Sequence, residues 1–425
     1  MECLKPYLCS CLELGSPVVC VVCVCVCEAF SKQCSSVCLL LPAPPSVLSD
    51  VPRDASGRED RQEELCANHL HPRHALRSGL RCRANVQRAD PELPGHVRPP
   101  EQGVPAPVRD GGGQEGVPGD AGLRATKLPP LFLLHMDEIL PNTTARKSNP
   151  NPNGCSTVCC NYPEKEFLGH TEDALAEILN NIYFVSAHII ADSPQGRWKV
   201  TEEKFTSLCY AGHLPGFTMS YNHHGLVYSV NIIKAKTLAS GKTPRHFLTR
   251  ALLAGENFAR AQQILRDAGC GAGDGVSINM TFLRQEGDRL FHNAELAPAA
   301  GPGAAESVLS VLTASPHEHM FHANKYLRLK VPEVGGAIVT SSDRRQAAFM
   351  KFPVPRSKED IEAILGDQSD REFSIFREES DDDYVKTVAV GIFDCVARTW
   401  SIYTGNPKTS EPVVVLPIQL KTESR

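Results

Sequence analysis

Isoleucine is absent from this 425-residue chain until Ile139. The first 130 residues also lack Trp and contain one Phe (Phe30) and one Tyr (Tyr7), against 11 of the 17 Cys and 16 of the 32 Pro. A folded segment of this length normally draws on Ile, Phe and Tyr for its core, so fold class is read from about residue 131 onward. Three readings fit 1–130. A disordered extension suits its Pro, Gly and Arg content and the run Arg109-Asp110-Gly111-Gly112-Gly113. A secreted disulfide module suits the Cys count, but Val18–Cys27 is a Val/Cys run rather than a spaced framework. The third is translation from intron or out-of-frame DNA. Val18–Cys27 makes a poor signal peptide, being short, preceded directly by Pro17, and with Lys5 as its sole upstream basic residue.

The balance of 44 Lys and Arg against 49 Asp and Glu, a net charge of −5, argues against a general nucleic-acid binder. No apolar stretch approaches the roughly 18–20 residues that span a bilayer, so neither nucleic acid nor membrane is an expected partner. In the cytoplasm, the expected location, Cys155, Cys159, Cys160, Cys209, Cys270 and Cys395 need not pair.

From residue 131 the usual core residues return. Leu131–Leu140 has helical apolar spacing, and Pro141–Gly154 is a linker with three Pro, four Asn and one Gly. Strands are expected at Cys155–Cys160, Phe205–Tyr210, Gly225–Ile233 and Pro412–Leu420. Hairpins are expected from Ser277–Leu283 with Arg289–Leu296, Ser307–Ala314 with His317–His322, and Thr387–Asp394 with Ala397–Thr404. Helices are expected over Thr243–Leu253, Glu256–Ala268, Ser342–Lys351 and Ser357–Leu365, the last opening on a capping-box-like Ser. Antiparallel strands with helices in blocks indicate a layered α+β domain.

The junction Asn153-Gly154-Cys155 runs a flexible linker straight into a Cys at a strand start. If the chain were cut before it, Cys155 would carry a nucleophilic thiol and an α-amine base on one residue. The thiol could make that cut itself by attacking the Gly154 carbonyl, and Gly tolerates the strained conformation involved. Taken alone, Gly-Cys equally describes a small buried Cys at a strand start. Cys155, Cys159, Cys160 and His170 lack zinc-site spacing, and no second Cys pair follows, so no metal is expected. His223-His224 reads as a turn before a strand, and neither a P-loop nor a dinucleotide fingerprint occurs in a strand–helix context.

Residues 131–425 resemble the acyltransferase-type N-terminal-nucleophile hydrolases, the isopenicillin-N acyltransferase-like family. The resemblance is carried by Leu133–Ala145, Asn151–Val158, Leu168–Ala174, Tyr183–Ile189, His213–Asn231, Asp274–Phe282, Phe321–Leu327 and Phe393–Tyr403. It implies an αββα sandwich and self-cleavage between Gly154 and Cys155, with 1–154 (131–154 being its end and linker) and 155–425 remaining together as a heterodimer. It implies Cys155 as nucleophile and Asp173, in Gly169-His170-Thr171-Glu172-Asp173, as an acceptor for the new α-ammonium or a nearby guanidinium. Without the resemblance, Asp173 reads as a cap for a helix over Ala174–Leu179.

The resemblance further implies that the Asn324 side-chain N–H faces the oxyanion, a donor worth about 3 kcal/mol. It points to Arg345, or its neighbour Arg344, as a bidentate partner of the Asp173 carboxylate. Asn222 is a weaker oxyanion candidate. The implied reaction needs no cofactor and hydrolyses N-β-alanyl conjugates of biogenic amines such as dopamine and histamine. An acyltransferase and a catalytically inactive relative are the alternatives. The 1–130 segment does not look like the family's upstream part, and Ala174 stands where relatives commonly carry an aromatic residue.

Overall fold

In the computed structural model, which describes residues 19–25, 135, 154–299, 301, 303–378 and 385–421, strands dominate and pair antiparallel. One sheet has eight strands in the order β1 (Val19–Cys25), β4 (Ile182–Gln195), β5 (Val200–Tyr210), β6 (Met219–Asn222), β7 (Leu226–Ile233), β8 (Gly275–Phe282), β9 (Phe291–Ala297) and β10 (Val308–Ala314). The other has six: β11 (Glu318–His322), β2 (Ser156–Tyr162), β3 (Lys165–Leu175), β12 (Val385–Asp394), β13 (Thr399–Tyr403) and β14 (Val414–Pro417). Within 1–130, the described strand β1 pairs Val19 with Ile189 through to Cys25 with Tyr183. The readings made for the rest of 1–130, and for 131–153 apart from His135, lie outside the described residues.

Alternation along the strands sorts side chains into four layers. On β2, Cys159 faces the other sheet, while Val158 and Cys160 face outward. Helices α1 (Arg245–Leu252) and α2 (Phe258–Arg266) cover the eight-stranded sheet through Leu248, Leu252, Ile264 and Leu265. Helices α3 (Ala337–Phe349) and α4 (Lys358–Leu365) cover the six-stranded sheet through Phe349, Ile361, Ile364 and Leu365. The result is an αββα sandwich. Asn257 caps α2 by accepting from the Arg260 N–H, and Ser357 caps α4 by accepting from the Asp360 N–H.

The layer between the sheets has two characters. One region is aromatic and aliphatic, with Trp400 stacked on Phe393 and edge-on to Phe184. In another region the inward positions of β7, β8 and β9 carry Ser229, Asn231, Ser277, Asn279, Asn293 and Glu295, all buried. These side chains satisfy one another: Asn279 Nδ2 donates to Asn231 Oδ1 at 2.7 Å, and Asn293 Nδ2 donates to Asn279 Oδ1 at 2.7 Å. Thr157 of the opposite sheet joins them, donating to Asn231 Oδ1 at 2.9 Å. A buried polar network of this kind fixes the relative register of the two sheets.

Three expectations are corrected. Ser307–Ala314 and His317–His322 do not form a hairpin: β10 pairs with β9 and β11 with β2, in different sheets. The intervening turn, with His317 at φ +72°, carries the chain across the sandwich. The helix expected at Ser342 begins at Ala337, behind Gly336 at φ +109°. Ala174 lies within β3, and the helical turn that follows is a 3₁₀ turn over Ala176–Asn181 with no side-chain cap, so Asp173 is not a helix cap. Among the described residues, no helix is long and apolar enough to cross a membrane.

Candidate active site

Cys155 immediately precedes β2 and is 5% exposed. Two residues before the inward-facing Thr157, it shares that face, and its Sγ lies with a ring nitrogen of His170 and a carboxylate oxygen of Glu172 inside a 4.8 Å group. Its backbone is held on both sides. The N–H donates to Asn324 Oδ1 at 2.8 Å, and the C=O accepts from Arg345 Nη1 at 2.7 Å and Asn231 Nδ2 at 3.0 Å. Burial pushes the thiol pKa well up, and the nearby Glu172 and Asp173 push it further, opposed by Arg345. In the uncut chain the thiol is therefore protonated at neutral pH.

β3 brings two carboxylates to this corner on opposite faces. Glu172 lies on the interlayer side, where Tyr210 Oη donates to Oε1 and His170 Nε2 is hydrogen-bonded to Oε2 at 3.1 Å. Asp173 turns to the outer side, where Thr387 Oγ1 donates to Oδ1 at 2.8 Å while Oδ2, buried, has no hydrogen-bond partner among the described residues. Burial lifts the Asp173 carboxyl pKa to about 7, against the pull of Arg377 and Arg345.

The structure brings Gly154, Cys155, Asp173, Asn324 and Arg345 into one corner, with changed roles for two of them. Arg345 is fully buried on α3, and besides the Cys155 carbonyl it donates to Ser156 Oγ (2.9 Å), Asn324 Oδ1 (2.9 Å) and Ser341 Oγ (3.2 Å). It does not grip Asp173 bidentately, as the bare Oδ2 shows. Arg344, one residue earlier and so about 100° round the helix, points outward to Asp370 at 2.6 Å. Asn324 presents its oxygen, not its N–H, to Cys155, and its Nδ2 donates to the Ile232 carbonyl at 3.0 Å. Asn222 is not at the site. Its amide closes the β6–β7 turn, donating to the Leu253 and Gly255 carbonyls and accepting from the N–H groups of His224 and Leu226.

Sequence reasoning missed Glu172, Tyr210 and Asn231, and weighed His170 only as a metal ligand. Glu172 sat inside a motif already singled out, and strand alternation would have set it opposite Asp173. Cys155, His170 and Glu172 form the single group among the described residues with donors arranged for a metal ion. Both His170 ring nitrogens are engaged, by Thr157 Oγ1 at 2.7 Å and by Glu172, so an ion there would have to displace a buried hydrogen bond.

Residues 160–409 match the family model described as acyl-coenzyme A:6-aminopenicillanic acid acyl-transferase. The β-alanyl-dopamine/carcinine hydrolase of Drosophila melanogaster is 49% identical over 294 residues, 68% of this chain and 76% of that protein. Penicillin V acylase from Agrobacterium tumefaciens aligns in structure at a TM-score of 0.35 and 9% identity, over 59% of this chain and 83% of that one. The chain belongs to the acyl-coenzyme A:6-aminopenicillanic acid acyl-transferase family. Within it the chain has the αββα architecture described above.

Proposed function

We propose that this chain is a self-processing cysteine amidohydrolase that releases biogenic amines from their N-β-alanyl conjugates. The observation that carries the reading is the grip on the Gly154–Cys155 junction: a buried thiol at a strand start, with its own N–H and C=O both fixed by buried side chains. In self-processing, the Cys155 thiol adds to the Gly154 carbonyl, the Cys155 nitrogen leaves as an amine, and water cleaves the resulting thioester. Fragments 1–154 and 155–425 then remain together as a heterodimer.

The cut places an amine of pKa near 8 beside the thiol. Asn324 Oδ1, which accepts from that nitrogen in the uncut chain, orients it, and the unpartnered Oδ2 of Asp173 supplies a second acceptor. A cation there offsets Glu172 and Asp173 and eases thiolate formation. The amine takes the thiol proton, the thiolate attacks the substrate amide carbonyl, and the ammonium protonates the departing amine. A β-alanyl thioester forms on Cys155. Water, activated by the α-amine, frees β-alanine. None of these steps calls for a cofactor. The substrate class is supported by the 49% identity to the fly hydrolase and by what that enzyme's name says it cleaves. The reading sets the enzyme in the cytoplasm, where its free thiols stay reduced.

Intact-protein mass spectrometry beside a Cys155→Ala control tests it. Two fragments breaking between 154 and 155, absent from the control, are expected, together with release of dopamine or histamine from the β-alanyl amides. An uncut, inactive chain would sink the reading. The family description favours a second outcome, transfer of the acyl group from a thioester to an amine. Incubation with an acyl thioester and free dopamine would reveal it as new amide.

A further inference from the structure

We infer that Glu172 is the carboxylate that reads the ammonium of the β-alanyl group; this rests on the β-alanyl amide reading above. Four observations converge on it. Glu172 shares the interlayer face with the nucleophile, with a carboxylate oxygen within the 4.8 Å group that includes Cys155 Sγ. In a β-alanyl amide the ammonium lies three bonds beyond the carbonyl carbon, roughly 3–4 Å from it at about 1.5 Å per bond. A carbonyl seated on Sγ therefore brings that ammonium to within a charged hydrogen bond, about 2.7–2.9 Å, of such a carboxylate.

The second observation is charge. Glu172 is 5% exposed, and His170 is its ion-pair partner among the described residues. Arg345, which reaches Ser156 Oγ on the outward face of β2, lies on the side toward which Asp173 points. A buried carboxylate with no Lys or Arg counter-ion among the described residues gains from a cation delivered by the ligand.

Third, Glu172 is aimed in advance. Tyr210 fixes one oxygen and His170 the other, leaving further lone pairs for an incoming donor. Fourth, its placement works against the nucleophile, since its charge raises the Cys155 pKa. A substrate ammonium cancels that effect as it binds, so the correct acyl group also favours the thiolate. Discrimination should then appear in kcat as well as in KM.

The test uses the full chain, wild type and Glu172→Gln, with β-alanyl-dopamine and butyryl-dopamine. The butyryl group replaces the ammonium by a methyl at the same chain length. Wild type should favour the β-alanyl amide by about 100-fold or more in kcat/KM, and the substitution should collapse that ratio toward unity. Self-cleavage of Glu172→Gln, followed by mass, establishes that the variant folds. Should it not fold, Glu172→Asp serves instead: its shorter carboxylate shifts the preference toward the longer γ-aminobutyryl amide. An unchanged ratio in Glu172→Gln, with both substrates slowed alike, overturns the assignment and leaves the substrate reading standing. A wild-type chain that cuts itself but hydrolyses neither amide overturns both.

Discussion

Adding one methyl group at Gly154 should slow self-cleavage by about two orders of magnitude. A Cβ built on Gly154 comes to 2.7 Å from Arg345 Nη2, 3.1 Å from Asn324 Oδ1 and 3.3 Å from Arg345 Cζ. Comfortable contact begins at about 3.5 Å, so the deficit is nearly an ångström. The far end of an arginine would ordinarily swing aside. Here the guanidinium is fully buried and tied to the Cys155 carbonyl, Ser156, Asn324 and Ser341. Asn324 is tied in turn to Ile232 and to the Cys155 N–H. The strain therefore passes to the Gly154–Cys155 peptide, moving the carbonyl that the thiol has to reach. A misplacement near 1 Å at a reacting centre costs about 100-fold, while overpacking of this size costs about 1–3 kcal/mol in stability. The assay is a time course of fragment appearance for Gly154→Ala and wild type, with a urea melt of each. A variant that folds and cuts itself within threefold of the wild-type rate would refute the reasoning.

Arg345→Lys should lower stability by about 3–5 kcal/mol, because one ammonium cannot reproduce hydrogen bonds spread over Cys155, Ser156 and Asn324. Arg344→Ala, on the exposed face of the same helix, should leave the urea midpoint within measurement error. Asp173 carries a pH signature. Its carboxyl pKa is about 7 folded against 3.8 for an unperturbed Asp, so across that window the folded chain holds a proton the unfolded chain has lost. Wild-type stability from this group falls as pH rises through the window, so Asp173→Asn should gain on wild type by a few kcal/mol between pH 4 and 7.5 in paired urea melts. Asn222→Ala should cost about 2–4 kcal/mol in the same melts yet leave the Gly154–Cys155 cut intact, since its four hydrogen bonds all belong to the β6–β7 turn and its neighbours.

Elements whose apolar pattern serves one purpose were readable from sequence. β7, β8, β12 and helices α1, α2 and α4 fall where period and capping residues put them. β3 was not, because Lys165–Leu175 carries five ionisable side chains and its burial is bought by site chemistry rather than by apolar residues. The β10–β11 segment misled for another reason: adjacency in sequence suggests a hairpin, but nothing local says that one strand joins each sheet. Positions 155, 173, 324 and 345, singled out through the family resemblance, come together in one corner of the fold, while their pairings had no sequence signal. Which atom of Asn324 meets Cys155, and which residues Arg345 grips, depend on the Ile232 carbonyl and on Ser156 and Ser341, contacts with no local sequence signal.

The opposite outlooks of Glu172 and Asp173 set two carboxylates of one strand in separate surroundings. Neighbours along the chain, they stand on different sides of a sheet, one toward the interlayer and one toward Thr387. A substitution at 172 alters what a ligand meets between the sheets and leaves the outer-face bond to Thr387 intact. A substitution at 173 removes the bond to Thr387 and leaves the Tyr210 and His170 contacts of Glu172 in place. Such a strand lets the side chain at 172 change what lies beside Cys155 between the sheets while the Asp173–Thr387 contact on the far face stays as it is.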